Sequence, residues 1–146
     1  MSNKALAVEA WESLFRAQVS VLRQLNAEFP TADLSFNEYD VLFNLSRQDD
    51  HRLRIRDLNR HLLLTQPSVS RLVDRLAQRT LVTKSTDPED GRGTIVALTD
   101  AGYDLFRRVA VVHAESIAQR VGNALDADEL TQLTVLCDKL REGTRA

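Results

Sequence analysis

The chain has 146 residues, 43% of them apolar, which suits one domain or a small lobe fused to extra helices. No run of about 18 apolar residues occurs, which excludes a membrane-spanning helix, and the opening Met1-Ser2-Asn3-Lys4-Ala5 leads into mixed polar and apolar residues rather than an apolar signal core, so a cytoplasmic location is expected. The single cysteine, Cys137, excludes an intrachain disulfide and a multi-cysteine metal cluster.

The formal net charge of −2 argues mildly against a polyanionic partner, but its distribution argues the other way. Residues 1–50 carry a balance of −4, residues 51–93 of +4, and residues 94–146 of −2. A basic middle between acidic flanks is expected of a nucleic-acid-binding segment carried on other helices, and it equally fits a solvated charged surface.

Taken in chain order, residues 5–29 read as a long helix whose Trp11, Leu14, Phe15, Leu22, Leu25 and Phe29 share a stripe, and Pro30 ends it. Ser35-Phe36-Asn37-Glu38 is a capping box, and the helix it opens runs to about Ser46 with Tyr39, Leu42, Phe43 and Leu45 expected inward. Leu53-Arg54-Ile55 reads as a very short strand, and residues 56–63 as a short helix burying Leu58 and Leu62. Thr65 is placed to cap a further helix with Pro67 in its first turn, where no helical hydrogen bond is lost. That helix extends to about Arg79.

The period then changes. Residues 81–85 and the β-branched run 94–98 read as the arms of a hairpin around the polar tip Asp87-Pro88-Glu89-Asp90-Gly91-Arg92-Gly93. Thr99 can cap a helix from Asp100 to Gly122 with Leu105, Val109, Val112, Ile117 and Val121 inward. A second capping box, Asp126-Ala127-Asp128-Glu129, opens a last helix with Leu130, Leu133, Leu136 and Leu140 inward.

The helix at 65–79 carries the chemistry. At about 100° per residue, Val69, Leu72, Val73 and Leu76 gather on one side, while Pro67, Ser70, Arg71, Asp74, Arg75 and Gln78 occupy the other. A helix anchored by one face and presenting hydroxyls, amides and arginines on the other meets the needs of major-groove reading. An ordinary surface helix is the alternative, although such a helix more often carries Glu–Lys pairs four residues apart. Asp74 is unfavourable near phosphates, and its own helix offers Arg71 and Arg75 as partners without deciding between them. The hairpin tip, with Arg92 between Gly91 and Gly93, can enter a narrow minor groove, with Asp90 holding the tip by accepting from Arg92 or a backbone amide. A plain surface turn of the same composition is the alternative.

Leu-Arg-Ile-Arg-Asp-Leu at 53–58, Ser-Val-Ser-Arg-Leu-Val-Asp-Arg-Leu at 68–76, Asp-Pro-Glu-Asp-Gly-Arg-Gly at 87–93 and Leu-Thr-Asp-Ala-Gly at 98–102 together resemble the winged helix-turn-helix core of the MarR family. The resemblance implies a mainly α fold with a small β-hairpin wing. It implies an N-terminal dimerisation helix over 1–34, a DNA-binding lobe over 35–99 and C-terminal dimerisation helices over 100–146. It also implies a homodimer on a pseudo-palindromic duplex operator, usually a repressor released by a small aromatic or acidic effector. Thr65, Gln66, Pro67, Ser68, Ser70, Arg71 and Arg75 then correspond to recognition-helix contacts, and Asp90, Gly91 and Arg92 to the wing. Four positions depart from the family's habit: Arg56 for a serine cap, Asn59 for alanine where two helices pack, Thr80 for a glycine after the recognition helix, and Gly91 for an arginine. They bear on the strength of DNA binding more than on the fold.

Dimerisation has a physical argument of its own. The apolar stripes on residues 5–29, 100–122 and 126–141 are too long for a core of this size to cover, and a second copy is the simplest cover. Trp11, Phe15, Tyr39 and Phe43 are candidate effector contacts, with core or dimer packing as the alternative. His51, His61 and His113 are not spaced as metal ligands, no cofactor is expected, and Cys137 on the inward side of the last helix reads as an inert packing residue. No nucleophile triad, phosphate-binding glycine loop or metal motif supports an enzyme. A winged-helix interaction protein with weakened or lost DNA binding is the competing reading.

Overall fold

The computed structural model describes residues 1–62 and 64–145. Among these, six α-helices and three strands follow in order: α1 Asn3–Glu28, α2 Phe36–Ser46, β1 Arg52–Arg54, α3 Ile55–His61, α4 Gln66–Gln78, β2 Val82–Thr86, β3 Thr94–Leu98, α5 Asp100–Ile117 and α6 Ala127–Gly143. Position 63, where the sequence puts the end of α3, lies outside the described residues. The chain divides into two units, Pro30–Val112 and the terminal segments Met1–Phe29 with His113 onward.

In the first of these units, local signals place the helices. Ser35 Oγ accepts the Glu38 N–H at 3.1 Å while Glu38 Oε1 accepts the Ser35 N–H at 2.9 Å, closing the capping box of α2. Thr65 Oγ1 accepts the Ser68 N–H at 3.3 Å and starts α4. Thr99 Oγ1 accepts the Gly102 N–H at 3.0 Å and donates to the Thr80 carbonyl at 2.7 Å, so the cap of α5 is also tied to the end of α4. By contrast α3, with Arg54 at its N-cap, has no side-chain cap. Its direction comes from packing, chiefly through the fully buried Leu58.

The sheet has order β1-β3-β2, both pairings antiparallel. Arg54 stands opposite Ile95, and Thr86 opposite Thr94, so the hairpin runs beyond the edge that β1 covers. The core between helices and sheet is built from Val41, Leu42, Leu45, Val69, Val73 and Val96, each with no measurable exposure. Phe43 is not part of it. The residue is 38% exposed, and its ring lies 6.4 Å from those of Tyr39 and Phe106 and sits under the Arg47 guanidinium, while Val41 takes the core position.

Two close approaches decide the route of the chain after α4. Thr80 has φ of 60°, the left-handed conformation expected where the family favours glycine, and the Leu81 N–H reaches back to the Leu76 carbonyl at 3.0 Å. A β-branched residue carries this conformation at a steric cost of about 1 kcal/mol or more. At Gly102 a Cβ would overlap the Leu81 carbonyl, so only glycine lets the start of α5 sit against the start of the wing.

The terminal unit differs. Residues 118–122 form a single π turn after α5, not the continuous α-helix expected to Gly122, and Arg120 in that turn donates to Glu28 of α1 at 2.7 Å. Phe29 and His113 are the buried residues among those described, ring centroids 5.2 Å apart. Burial holds the His113 imidazole below its usual pKa. Several residues expected inward are exposed in the single chain: Trp11, Phe15 and Leu22 of α1, Ile117 of α5, and Leu133, Leu136 and Leu140 of α6, as is Val112, the last residue of the first unit. Among the described residues, neither α1 nor α6 has a fully buried one. Cys137 is only partly buried.

Candidate nucleic-acid interface

Helix α4 is fixed by one face and open on the other. Val69, Leu72, Val73 and Leu76 are buried. Thr65, Gln66, Pro67, Ser70, Arg71 and Arg75 are exposed, and Ser68 is half-buried. At its start the Thr65 hydroxyl donates to Ser68 Oγ at 2.9 Å, and Arg71 Nη2 donates to the same oxygen at 3.2 Å. The arginine therefore lies along the first turn, beside the hydroxyls, in the free chain. The far end of α4 is held by Arg79, which donates to the Asp33 carbonyl at 2.7 Å and pairs with Glu38 at 3.5 Å. Because Glu38 also closes the capping box of α2, one carboxylate ties the end of α4 to the start of α2.

Asp74 pairs with neither Arg71 nor Arg75. Its partner is Lys84 of β2, at 2.5 Å. The sequence missed this because the pair joins a helix to a strand whose relative placement depends on the left-handed turn at Thr80. The consequence is electrostatic: the one acid on the exposed face of α4 is neutralised, and Arg71 and Arg75 keep their charge for an outside partner. Exposed pairs of this kind add little stability.

The wing is shaped by a chain of hydrogen bonds. The Asp87 N–H donates to the Gly93 carbonyl at 3.0 Å, the Gly93 N–H to the Asp90 carbonyl at 2.8 Å, and the Arg92 N–H to Asp90 Oδ1 at 3.1 Å. Asp90 thus holds the tip through a backbone amide, and Asp90, Gly91 and Arg92 are all exposed. Asp87 is buried at 2% exposure, its Oδ1 accepting the Glu89 N–H at 2.9 Å and its Oδ2 accepting Arg54 Nε at 2.5 Å. Arg54 Nη2 also reaches Glu89 at 2.8 Å. The Glu89 amide and the Arg54 guanidinium hold the Asp87 carboxyl below the usual carboxylate range, against the opposing effect of burial. Its contribution to stability is therefore present above the ordinary carboxylate pKa and is lost as pH falls through the depressed one.

A hollow of 210 Å3 at the base of the wing is lined by residues that include Arg54, Arg56, Asp87, Asp90, Arg92 and Gly93. Arg54 is occupied by two acids, whereas Arg56, Arg75 and Arg92 enter no ion pair among the described residues. Sequence reading counted Arg56 only as a missing cap. Its free charge beside the wing becomes visible only when β1 is paired to β3.

The four aromatic residues named from the sequence fall in separate units. Trp11 and Phe15 pair on α1 at 5.8 Å. Tyr39 and Phe43 stack on α2, where the Tyr39 ring also lies 5.3 Å from Phe106 of α5. Burial raises the Tyr39 phenol pKa, with the Asp40 charge acting in the same sense.

Residues 32–93, the span from the approach to α2 through the wing tip, match the model of the MarR family. The resemblance carried by the sequence motifs is thus borne out over that span. It is 31% identical over 86 residues to the Bacillus subtilis HTH-type transcriptional regulator YkoM, an alignment covering 59% of this chain and 55% of that relative's length. Among solved structures it is similar to Sco3205, a MarR family transcriptional regulator from Streptomyces coelicolor in complex with DNA, with TM-score 0.76, 26% identity and coverage of 100% of this chain and 91% of the other. It is also similar to Bordetella bronchiseptica BpsR, whose DNA binding is regulated by 6-hydroxynicotinic acid, with TM-score 0.73, 26% identity and coverage of 91% and 98%. The winged helix-turn-helix fold is therefore that of transcription regulators rather than of an enzyme family.

Proposed function

We propose that this chain is a sequence-specific duplex-DNA-binding repressor of the MarR family, acting as a homodimer on a pseudo-palindromic operator and released by a small aromatic or acidic effector. The observation that carries the reading is α4: its apolar face is locked in the core while Thr65, Gln66, Pro67, Ser70, Arg71 and Arg75 stand exposed beside a wing with a free Arg92. Hydroxyls and the Gln66 amide suit base edges, Arg71 and Arg75 suit guanine or phosphate, and Arg92 suits the negative potential of a narrow minor groove.

Pairing of two copies through the exposed apolar residues of α1 and α6 supplies the two-fold symmetry that a pseudo-palindrome requires, with the α4 helices about 34 Å apart. The aromatic pairs Trp11–Phe15 and Tyr39–Phe43 offer apolar surface to an effector ring, and regulation of a similar protein by an aromatic acid supports that class of ligand.

The test is a salt titration of binding to genomic fragments captured by the wild-type protein. Several phosphate contacts give a steep loss of affinity with added salt. Arg71→Ala is expected to cost about 1–3 kcal/mol on the selected site and to relax its sequence preference. Arg92→Ala is expected to weaken all duplexes alike and to flatten the salt slope. A wild type that captures no duplex would move the chain to the competing reading, a winged-helix interaction protein.

A further inference from the structure

We propose that Arg54 is a positioning residue for the wing: from β1 it clamps Asp87 and Glu89, and so sets where Arg92 meets DNA. This rests on the DNA-binding reading above and adds a residue outside both α4 and the wing.

The strand pairing of the hairpin stops at Thr86 and Thr94, before the tip begins. The tip residues 87–93 are then held together by their own bonds, Asp87 to Gly93, Gly93 to Asp90, and Arg92 to Asp90. Among the described residues, the hydrogen bonds joining this tip to the rest of the unit by way of side chains are those of Arg54, to Asp87 at 2.5 Å and to Glu89 at 2.8 Å. The rigid path thus runs from β1 through one guanidinium to Asp87, and from Asp87 through the turn to the backbone of Arg92. Burial makes the link stiff. Asp87 is 2% exposed and the Arg54 side chain 34%, so the charges attract through a partly dry environment, and the planar guanidinium fixes direction as well as distance. Since Arg54 is spent on two carboxylates, it has little capacity left for a phosphate, unlike its neighbours Arg56 and Arg92.

Positioning and direct contact make opposite predictions at Asp87. If only charge mattered, Asp87→Asn would remove a negative charge near the phosphates and tighten binding. If Arg54 works through Asp87, the same change loosens the tip and weakens binding. We expect Asp87→Asn and Arg54→Gln each to weaken binding by about tenfold, within the range seen for coupled neighbours. The probe is a duplex enriched by the wild-type protein from a random-sequence pool. Adding either change to Arg92→Ala is expected to cost at most about twofold more, because the wing has then already lost the contact that the clamp positions. Arg54→Lys keeps the charge but not the fork, and is expected to recover part of the loss.

Circular dichroism melts establish the folded fraction, and affinities are referred to it. If Arg54→Gln does not fold, Asp87→Asn alone decides by the sign of its effect. Wild-type binding with Asp87→Asn unchanged or tighter overturns the proposal, as does full additivity with Arg92→Ala, which is the signature of an independent phosphate contact. Absence of any wild-type binding to the pool overturns the DNA-binding reading itself, so the two failures are distinguishable.

Discussion

The unit Pro30–Val112 and the terminal unit solve the problem of burial in different ways. In the first, α2, α3, α4, most of α5 and a small sheet surround a core in which Leu42, Leu45, Leu58, Leu76 and Val96 are wholly enclosed. In the second, α1 and α6 bury nothing of their own, and Trp11, Phe15, Leu136 and Leu140 are each at least half exposed. The lesson concerns where a fold keeps its degrees of freedom. A reader of DNA must hold its side chains still, which a self-contained core achieves. A terminal region with exposed apolar faces is suited to completion by a second copy, and in the proposed dimer that pairing would set the spacing of the two α4 helices.

The sharpest way to break this contrast is to damage each unit separately. Gly102→Ala drives a methyl into the Leu81 carbonyl, where two backbones meet and neither can yield. It is expected to destabilise the Pro30–Val112 unit by about 4 kcal/mol or more, measured by urea unfolding. A loss under about 1 kcal/mol would show that this core is looser than described. Leu136→Glu, on the exposed face of α6, is expected to leave that unit folded while weakening self-association by about 3 kcal/mol, roughly a hundredfold. Sedimentation across a dilution series reads this directly, and unchanged association would remove the α6 face from the interface.

A smaller effect sharpens the comparison within the Pro30–Val112 unit. Asn59 Oδ1 is buried with no hydrogen-bond partner among the described residues, at a position where the sequence resemblance leads one to expect alanine. Asn59→Ala is expected to stabilise by about 1 kcal/mol, seen as a higher denaturation midpoint with an unchanged slope. A net loss would mean that the side chain packs more than its lone oxygen costs.

Much of the local geometry of the candidate site was legible in the sequence. The cap at Thr65, the two faces of α4 and the turn chemistry around Asp90 are properties of short windows, and helical period or capping reach brings those residues together whatever surrounds them. The residues that escaped were those whose role lies across the chain. Asp74 was offered to its helical neighbours and found Lys84; Phe43 fitted the helical stripe yet stayed on the surface beneath Arg47. Arg54 was counted with the other cations of a basic stretch, although its neighbours in space cancel its charge.

By itself, then, the amino-acid order determined which segments coil, which extend, where each begins and which side of α4 is polar, since these follow from contacts spanning a few residues. Tertiary structure alone decided who neutralises whom, that the α5 helix loosens into a π turn where Arg120 meets Glu28, and that the apolar stripes of the terminal helices face outward. Those outcomes depend on the register of β1 against β3 and on the packing of elements far apart in the chain. No local window contains that information.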